Sequence, residues 1–213
     1  MPFPLKTIVT ILLFWGLFNS PLYAQHIRSL DLEHIKATED SLKSFSRDMV
    51  FSEEAAVRFR SDSLFVRGLV RALRIPHSFQ YPFDSLNISR LYAPDSTFRI
   101  FTWQLKKDEY VVFQKGAIQM RTPDGSLKLY PLFDCSMYTP KPEDSVRGRN
   151  NWIGAIYYKI IKKQHEGKNY YTLIGFDDFS INSNKKWLEV LTFTDQGEPQ
   201  FGGPFISFED DTL

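Results

Sequence analysis

Three arginines are the side chains most able to do chemistry. Arg67, Arg71 and Arg74 fall within about 60° of one another on a helical wheel, with Arg60 joining them if the helix is continuous. Phe65, Val66, Leu69, Val70 and Leu73 take the opposite side. Guanidinium forks match carboxylates and phosphates, so this face can grip an anionic ligand or a partner such as an envelope protein. The plainer reading, and the favoured one, is a solvated face opposite a core. A second pattern is a partial calcium loop, in which Asp178, Ser180, Asn182, Asn184 and Glu189 take liganding positions. Against it, Ser183 stands where the sharp turn wants glycine, Lys186 stands at a further liganding position, and both flanks read as strands. A polar hairpin loop explains the same residues better.

Nucleophilic or acid–base chemistry has weaker candidates. Cys135 could serve as a thiol nucleophile with His77 or His165, but a lone cysteine is more often a small buried hydrophobe. Asp177 and Asp178 could form a carboxylate pair, although successive strand residues point to opposite faces. Arg147, Arg149, Asn150, Asn151 and Trp152 sit where a loop enters a strand. They could line a ligand cleft with an aromatic floor, but a solvated loop is the favoured reading. The histidines are scattered, no metalloprotease, serine-hydrolase or phosphate-loop motif occurs, and no cofactor is implied.

The elements that must position these residues change character at Pro76. From His26 to Met49, Ile27, Leu30, Ile35, Leu42, Phe45 and Met49 gather on one arc of an amphipathic helix. Ser52 followed by Glu53 and Glu54 predicts a second helix reaching about Ile75, re-capped near Asp62. Beyond Pro76 the apolar period becomes two. Strands are predicted over Phe98–Leu105, Glu109–Gln114, Ala117–Thr122, Leu127–Phe133, Trp152–Lys162, Tyr170–Phe176, Trp187–Thr194 and Phe201–Phe208. A polar loop from Asp134 to Asn150 divides them, long enough to suggest a functional or mobile segment. Short strands, short turns and no intervening helices predict an α+β fold, with an N-terminal helix pair on a curved antiparallel meander of half-barrel or sandwich form. The strand from Trp152 is apolar on both faces, which predicts a central place, with Trp152, Ile156 and Ile160 in the core.

Composition sets the compartment and narrows the partners. Thr7 to Phe18 is an uncharged run behind Lys6, and Leu22-Tyr23-Ala24 precedes Gln25, the order of a secretory signal peptide over residues 1–24. The run is shorter than the ~20 apolar residues a membrane helix needs, so no stable membrane span is expected after cleavage. Losing Lys6 with that segment takes the 26 basic residues to 25, equal to the 25 acids. A net charge of zero argues against a nucleic-acid binder. The single cysteine excludes an internal disulfide framework. A single domain over residues 25–213 is expected, helical over 25–76 and β-rich over 86–208, periplasmic or extracellular.

The runs ISRLYAPDSTFRIFTWQL, NWIGAIYYKII and YYTLIGFDDFSINSNKKWLEVLTF resemble exported proteins of Bacteroidetes-type bacteria for which no activity is known. The resemblance covers about the last 130 residues and implies no functional residue. It implies a shortened member, with one sheet edge left uncovered. With no nucleophile or metal motif, the expected function is a non-enzymatic binding or envelope accessory module. The alternative is a hydrolase of envelope or extracellular polymers acting through Asp177, Asp178 or Cys135.

Overall fold

A computed structural model describes residues 26–180 and 183–205, apart from the side chains of residues 144, 178–180, 183 and 184. The signal-peptide segment lies outside them, as do the last three residues of the predicted strand Phe201–Phe208; of the rest only Phe201 is strand, because Gly202 and Gly203 turn the backbone to positive φ.

Helix α1 spans Ser29–Phe51 and helix α2 spans Ala55–Leu73. In α1 the buried residues Ile35, Glu39, Leu42, Ser46 and Met49 follow a spacing of four and three, which keeps them on one stripe. Its two polar members pin the chain that leaves α2. Glu39 accepts hydrogen bonds from the Ser85 amide at 2.9 Å and from the Tyr81 hydroxyl, and Ser46 Oγ accepts from the Asn87 amide at 3.1 Å. The helices touch closely at Gly68, where an added Cβ would stand 2.8 Å from Leu42 Cδ2. Helix α2 is continuous, and Asp62 is no cap. It is buried in the helix interior and accepts from the Trp103 indole at 2.9 Å. Arg58, also buried, fastens the corner by donating to the carbonyls of Ser52, Glu53, Lys106 and Lys107.

The strands form two antiparallel sheets that do not close into a barrel. The first is the meander β1 (Ser89–Tyr92), β2 (Phe98–Lys106), β3 (Val112–Met120) and β4 (Lys128–Phe133). The predicted strands Glu109–Gln114 and Ala117–Thr122 are therefore one strand. Gly116 inside it is a close-approach glycine and not a turn, because a Cβ there would meet the Phe101 carbonyl at 2.9 Å. The second sheet contains β5 (Arg147–Gly148), β6 (Ile156–His165), β7 (Lys168–Ser180), β8 (Ser183–Phe193) and β9 (Pro199–Phe201), in the order β5-β9-β8-β7-β6.

The first sheet is the middle of three layers. Phe98, Ile100, Ile118 and Leu132 pack against Tyr157, Leu173, Leu191 and Phe201 of the second sheet. On its other face, Phe101, Trp103 and Leu105 meet Ile35, Leu42, Phe65 and Leu69 of the helices. It is thus β2, buried on both faces, that occupies the centre, while the strand from Ile156 runs along an edge. That edge is covered at Tyr157, whose carbonyl accepts from Ser89 Oγ and whose amide donates to Thr102 Oγ1 at 3.1 Å. A register shift between Tyr157 and Lys159 also breaks the predicted alternation. Trp152 is fully buried as expected, but Ile156 is only half-buried, and Tyr157 with Ile160 faces the core.

Candidate ligand-binding site

Alternation along β3 places Phe113, Lys115 and Ala117 on the helix side of the first sheet. Antiparallel pairing sets Lys115 opposite Phe133 and Ala117 opposite Pro131, so these residues make a continuous floor. Above it, Val66, Leu69, Val70 and Leu73 of α2 form a wall, and together they enclose a cleft of about 360 Å³. Room exists because Ala117 and the two valines are small, and because β4 is the edge of its sheet. Phe133 is left 54% exposed, and Phe113, at the surface, meets Phe59 edge-on at 6.2 Å. Charge enters this apolar lining at Lys115 and at Asp134. Lys115 Nζ lies 2.5 Å from Asp62 Oδ2, and Trp103 Nε1 donates to Asp62 Oδ1. Asp62 is buried and Lys115 is 38% exposed, so the ammonium keeps donors that a ligand could use. The cleft can therefore hold an apolar body with an acceptor at one end.

A second polar assembly lies in the other sheet. Trp152 Nε1 donates to Tyr157 Oη at 2.7 Å, Tyr157 donates to Glu189 Oε1, and Arg147 donates to Glu189 Oε2 at 2.6 Å. Burial raises the Glu189 carboxyl above its ordinary range, although Tyr157 and Arg147 pull the other way. Burial, with the nearby Glu189 charge, also raises the Tyr157 hydroxyl well above its usual value. The loop-to-strand residues are thus divided, with Asn150 and Asn151 exposed as a solvated loop would have them. Arg147 and Trp152 are buried, and Arg149 reaches Glu198 at 3.3 Å. The long loop from Asp134 is tied back at its base. Asp134 accepts from the amides of Gln114, Ser136 and Gly154, while the Trp152 amide donates to the Phe133 carbonyl.

The arginines of α2 take two situations. Arg67 and Arg71 line a groove between the helices, with His34, Thr38 and Ser41 on the α1 side, and Arg74 lies at the end of α2. All three are exposed, and their side chains make no hydrogen bond or ion pair among the described residues. Of the calcium-loop set, Asn182 lies outside the described residues, as do the side chains of Asp178, Ser180 and Asn184, while Glu189 is engaged with Arg147 and Tyr157. Among the described residues no three His, Cys, Asp or Glu side chains converge on a metal position, and no helix is long and apolar enough to cross a membrane.

Cys135 is brought to neither histidine. The His77 amide bonds Gly125 at one end of β4, while Cys135 follows its other end about 20 Å away. His165 is the last of the ten residues of β6, at the β6–β7 turn, while Trp152, bridged to Asp134 beside Cys135, precedes the strand's other end. Asp177 is buried and accepts from Gln114 Nε2 at 2.6 Å. No protein-family model, curated protein or solved structure matches this chain.

The sequence signalled the cleft only in part. Val66, Leu69, Val70 and Leu73 were legible as a buried face, but nothing local said that part of that face would meet open space.

Proposed function

We propose that the protein is an exported, non-enzymatic binding module whose cleft between α2 and β3–β4 takes an amphipathic small molecule. The observation that carries this reading is a largely apolar cleft of about 360 Å³ whose lining includes Lys115, held by the buried Asp62. Its size is at the lower end for small-molecule sites, and an apolar lining with a few placed polar groups is their usual make-up. The uncharged run from Thr7 to Phe18, ahead of Ala24, supports export to the periplasm or beyond. Trp103 lines the cleft and serves as its reporter.

A titration of the mature chain with a long-chain fatty acid, followed by tryptophan emission, tests the reading. Saturable binding is expected in the wild type, and Val70→Trp, which fills the cleft from the helix side, should weaken it at least about tenfold. Binding that Val70→Trp leaves untouched, or no saturable binding in the wild type, would overturn it.

The Arg67–Arg71 groove favours a second reading, because its two cations meet no acid among the described residues and an anionic partner would complement them. Binding there should fall steeply between low and high salt, since screening acts over about 10 Å at 0.1 M.

A further inference from the structure

The second sheet packs one face on the first sheet, and its other face is the outside of the third layer. Along β7 burial alternates strictly. Tyr171, Leu173, Gly175 and Asp177 are buried, while Thr172, Ile174 and Phe176 between them are half-buried. Pairing extends the outward set into rows across three strands. Ile156, Phe176 and Lys186 form one row, Lys159, Ile174 and Leu188 the next, and Ile161, Thr172 and Val190 a third. Tyr158, at the bulge, joins this face, because its ring lies 6.4 Å from that of Phe176. β6, β7 and β8 make their main contacts with one another, with β9 and with the first sheet, all beside or beneath the outward rows. Tyr158 is accordingly 50% exposed and Leu188 48%.

The outward side of an antiparallel sheet in water alternates to polar residues, and this one does not. Ile156, Ile161, Ile174, Phe176 and Leu188 stand where polar side chains are expected. The charges set among them are of one sign: Lys159, Lys186 and, one row on, Lys163 opposite Tyr170. Lys159 and Lys163 make no ion pair among the described residues. Lys186 Nζ stands over the Phe176 and Tyr158 rings at 5.4 and 5.8 Å. An acid, Glu143, adjoins the face beside Leu188, on the side away from β6 and its two lysines.

We propose that this face seats the protein on a membrane surface containing anionic lipid. The isoleucines, Phe176 and Leu188 enter the boundary between headgroups and acyl chains, where apolar area and attraction to anionic lipid add. Tyr158 takes the interfacial depth that suits a ring with a hydroxyl. The lysine stems lie along the apolar surface and carry their ammonium groups to the phosphates. A protein partner would bury those lysines, which interface cores avoid. A second copy set face to face would bring lysines against lysines. The contact lies on the membrane and does not span it, and it is independent of the cleft beneath α2.

Co-sedimentation of the mature chain with lipid vesicles tests the proposal. Vesicles of phosphatidylcholine and phosphatidylglycerol in equal parts should bind it at low salt. Phosphatidylcholine alone should bind about a hundredfold more weakly, or about fivefold for each lysine. Lys159→Gln, Lys163→Gln and Lys186→Gln together should remove that preference, and Leu188→Gln should weaken binding about fivefold at low and high salt alike. These positions are exposed, so the variants keep the fold. Tyr158→Trp puts a reporter on the face, whose emission should shift to the blue with anionic vesicles and be quenched by lipid brominated on its acyl chains. No binding by the wild type, or a reporter that brominated lipid leaves unchanged, overturns the proposal. So does binding kept by the lysine variant but lost with Arg67→Gln and Arg71→Gln, which would place the contact on α2. A dimer in solution that Leu188→Gln dissolves would make the face an interface between copies, and would overturn it as well.

Discussion

Asp95 sits in the turn between β1 and β2, yet its carboxylate serves the other sheet. It accepts from Tyr171 Oη at 2.8 Å and lies 2.8 Å from Lys162 Nζ, so it ties the middle layer to β6 and β7. Burial pushes its carboxyl up, but the bonds from Lys162, Thr97 and Tyr171 outweigh it and hold the value at about 2. The folded value lies below the unfolded one of about 3.9, so the resulting stability is present above about pH 4 and is lost as pH falls through about 2. Asp95→Asn should cost about 1–2 kcal/mol near neutral pH and almost nothing near pH 2, read from denaturant melts. A cost that stays constant with pH would break the argument.

Arg99 presents the opposite case, a buried cation with no carboxylate among its described partners. Its fork donates to Gln119 Oε1, Tyr92 Oη and the carbonyls of Ser78 and Tyr81, and the rings of Phe79, Phe83, Tyr92 and Phe101 surround it at 4.7–5.6 Å. Burial lowers its pKa to about 10. Lysine cannot reach four acceptors at once, so Arg99→Lys should cost on the order of 3 kcal/mol. A melt unchanged by the substitution would show that the fork is dispensable. Its position on the face opposite Phe98 and Ile100 was legible from alternation. Its burial was not, because it is the segment Ser78–Phe83, folded back from the end of α2, that turns that face into an interior.

Among the elements, the helices were the most legible. A stripe such as Ile35, Leu42 and Met49 is set by spacing alone, and α1 and α2 fall close to their expected limits. Strand reading failed where geometry departs from strict alternation. The bulge after Tyr157 adds one residue to β6 and transfers Ile160 to the face of Tyr157, away from that of Ile156. Ile156→Ala should therefore cost about 1 kcal/mol, well under the 2–5 kcal/mol expected for Leu173→Ala on the buried face of β7. Equal losses in urea melts would place the bulge wrongly. The short strand β1 went unread because its four residues, Ser89–Tyr92, carry too little pattern to stand out.

At the scale of the whole molecule, the layer order α, β, β decides what each surface becomes. The sequence showed that α2 has an apolar and a cationic side, but whether each side met a neighbour depended on contacts far apart in the chain. Replacing Arg67, Arg71 and Arg74 together with glutamine should leave the fold intact, each exposed change staying within about 0.5 kcal/mol. A larger loss in thermal or denaturant melts would show that the arginines hold the helix pair together.

Helix α2 is a partition between two concavities, with the cleft on one flank and the Arg67–Arg71 groove on the other. Thermodynamic linkage then constrains both. If an occupant of the cleft changes the affinity of the groove by some factor, an occupant of the groove must change the affinity of the cleft by the same factor. With Gly68 of α2 against Leu42 of α1, a small rotation of the helix would widen one concavity as it narrows the other. That geometry favours antagonism: two ligands, one on each flank, compete without ever touching.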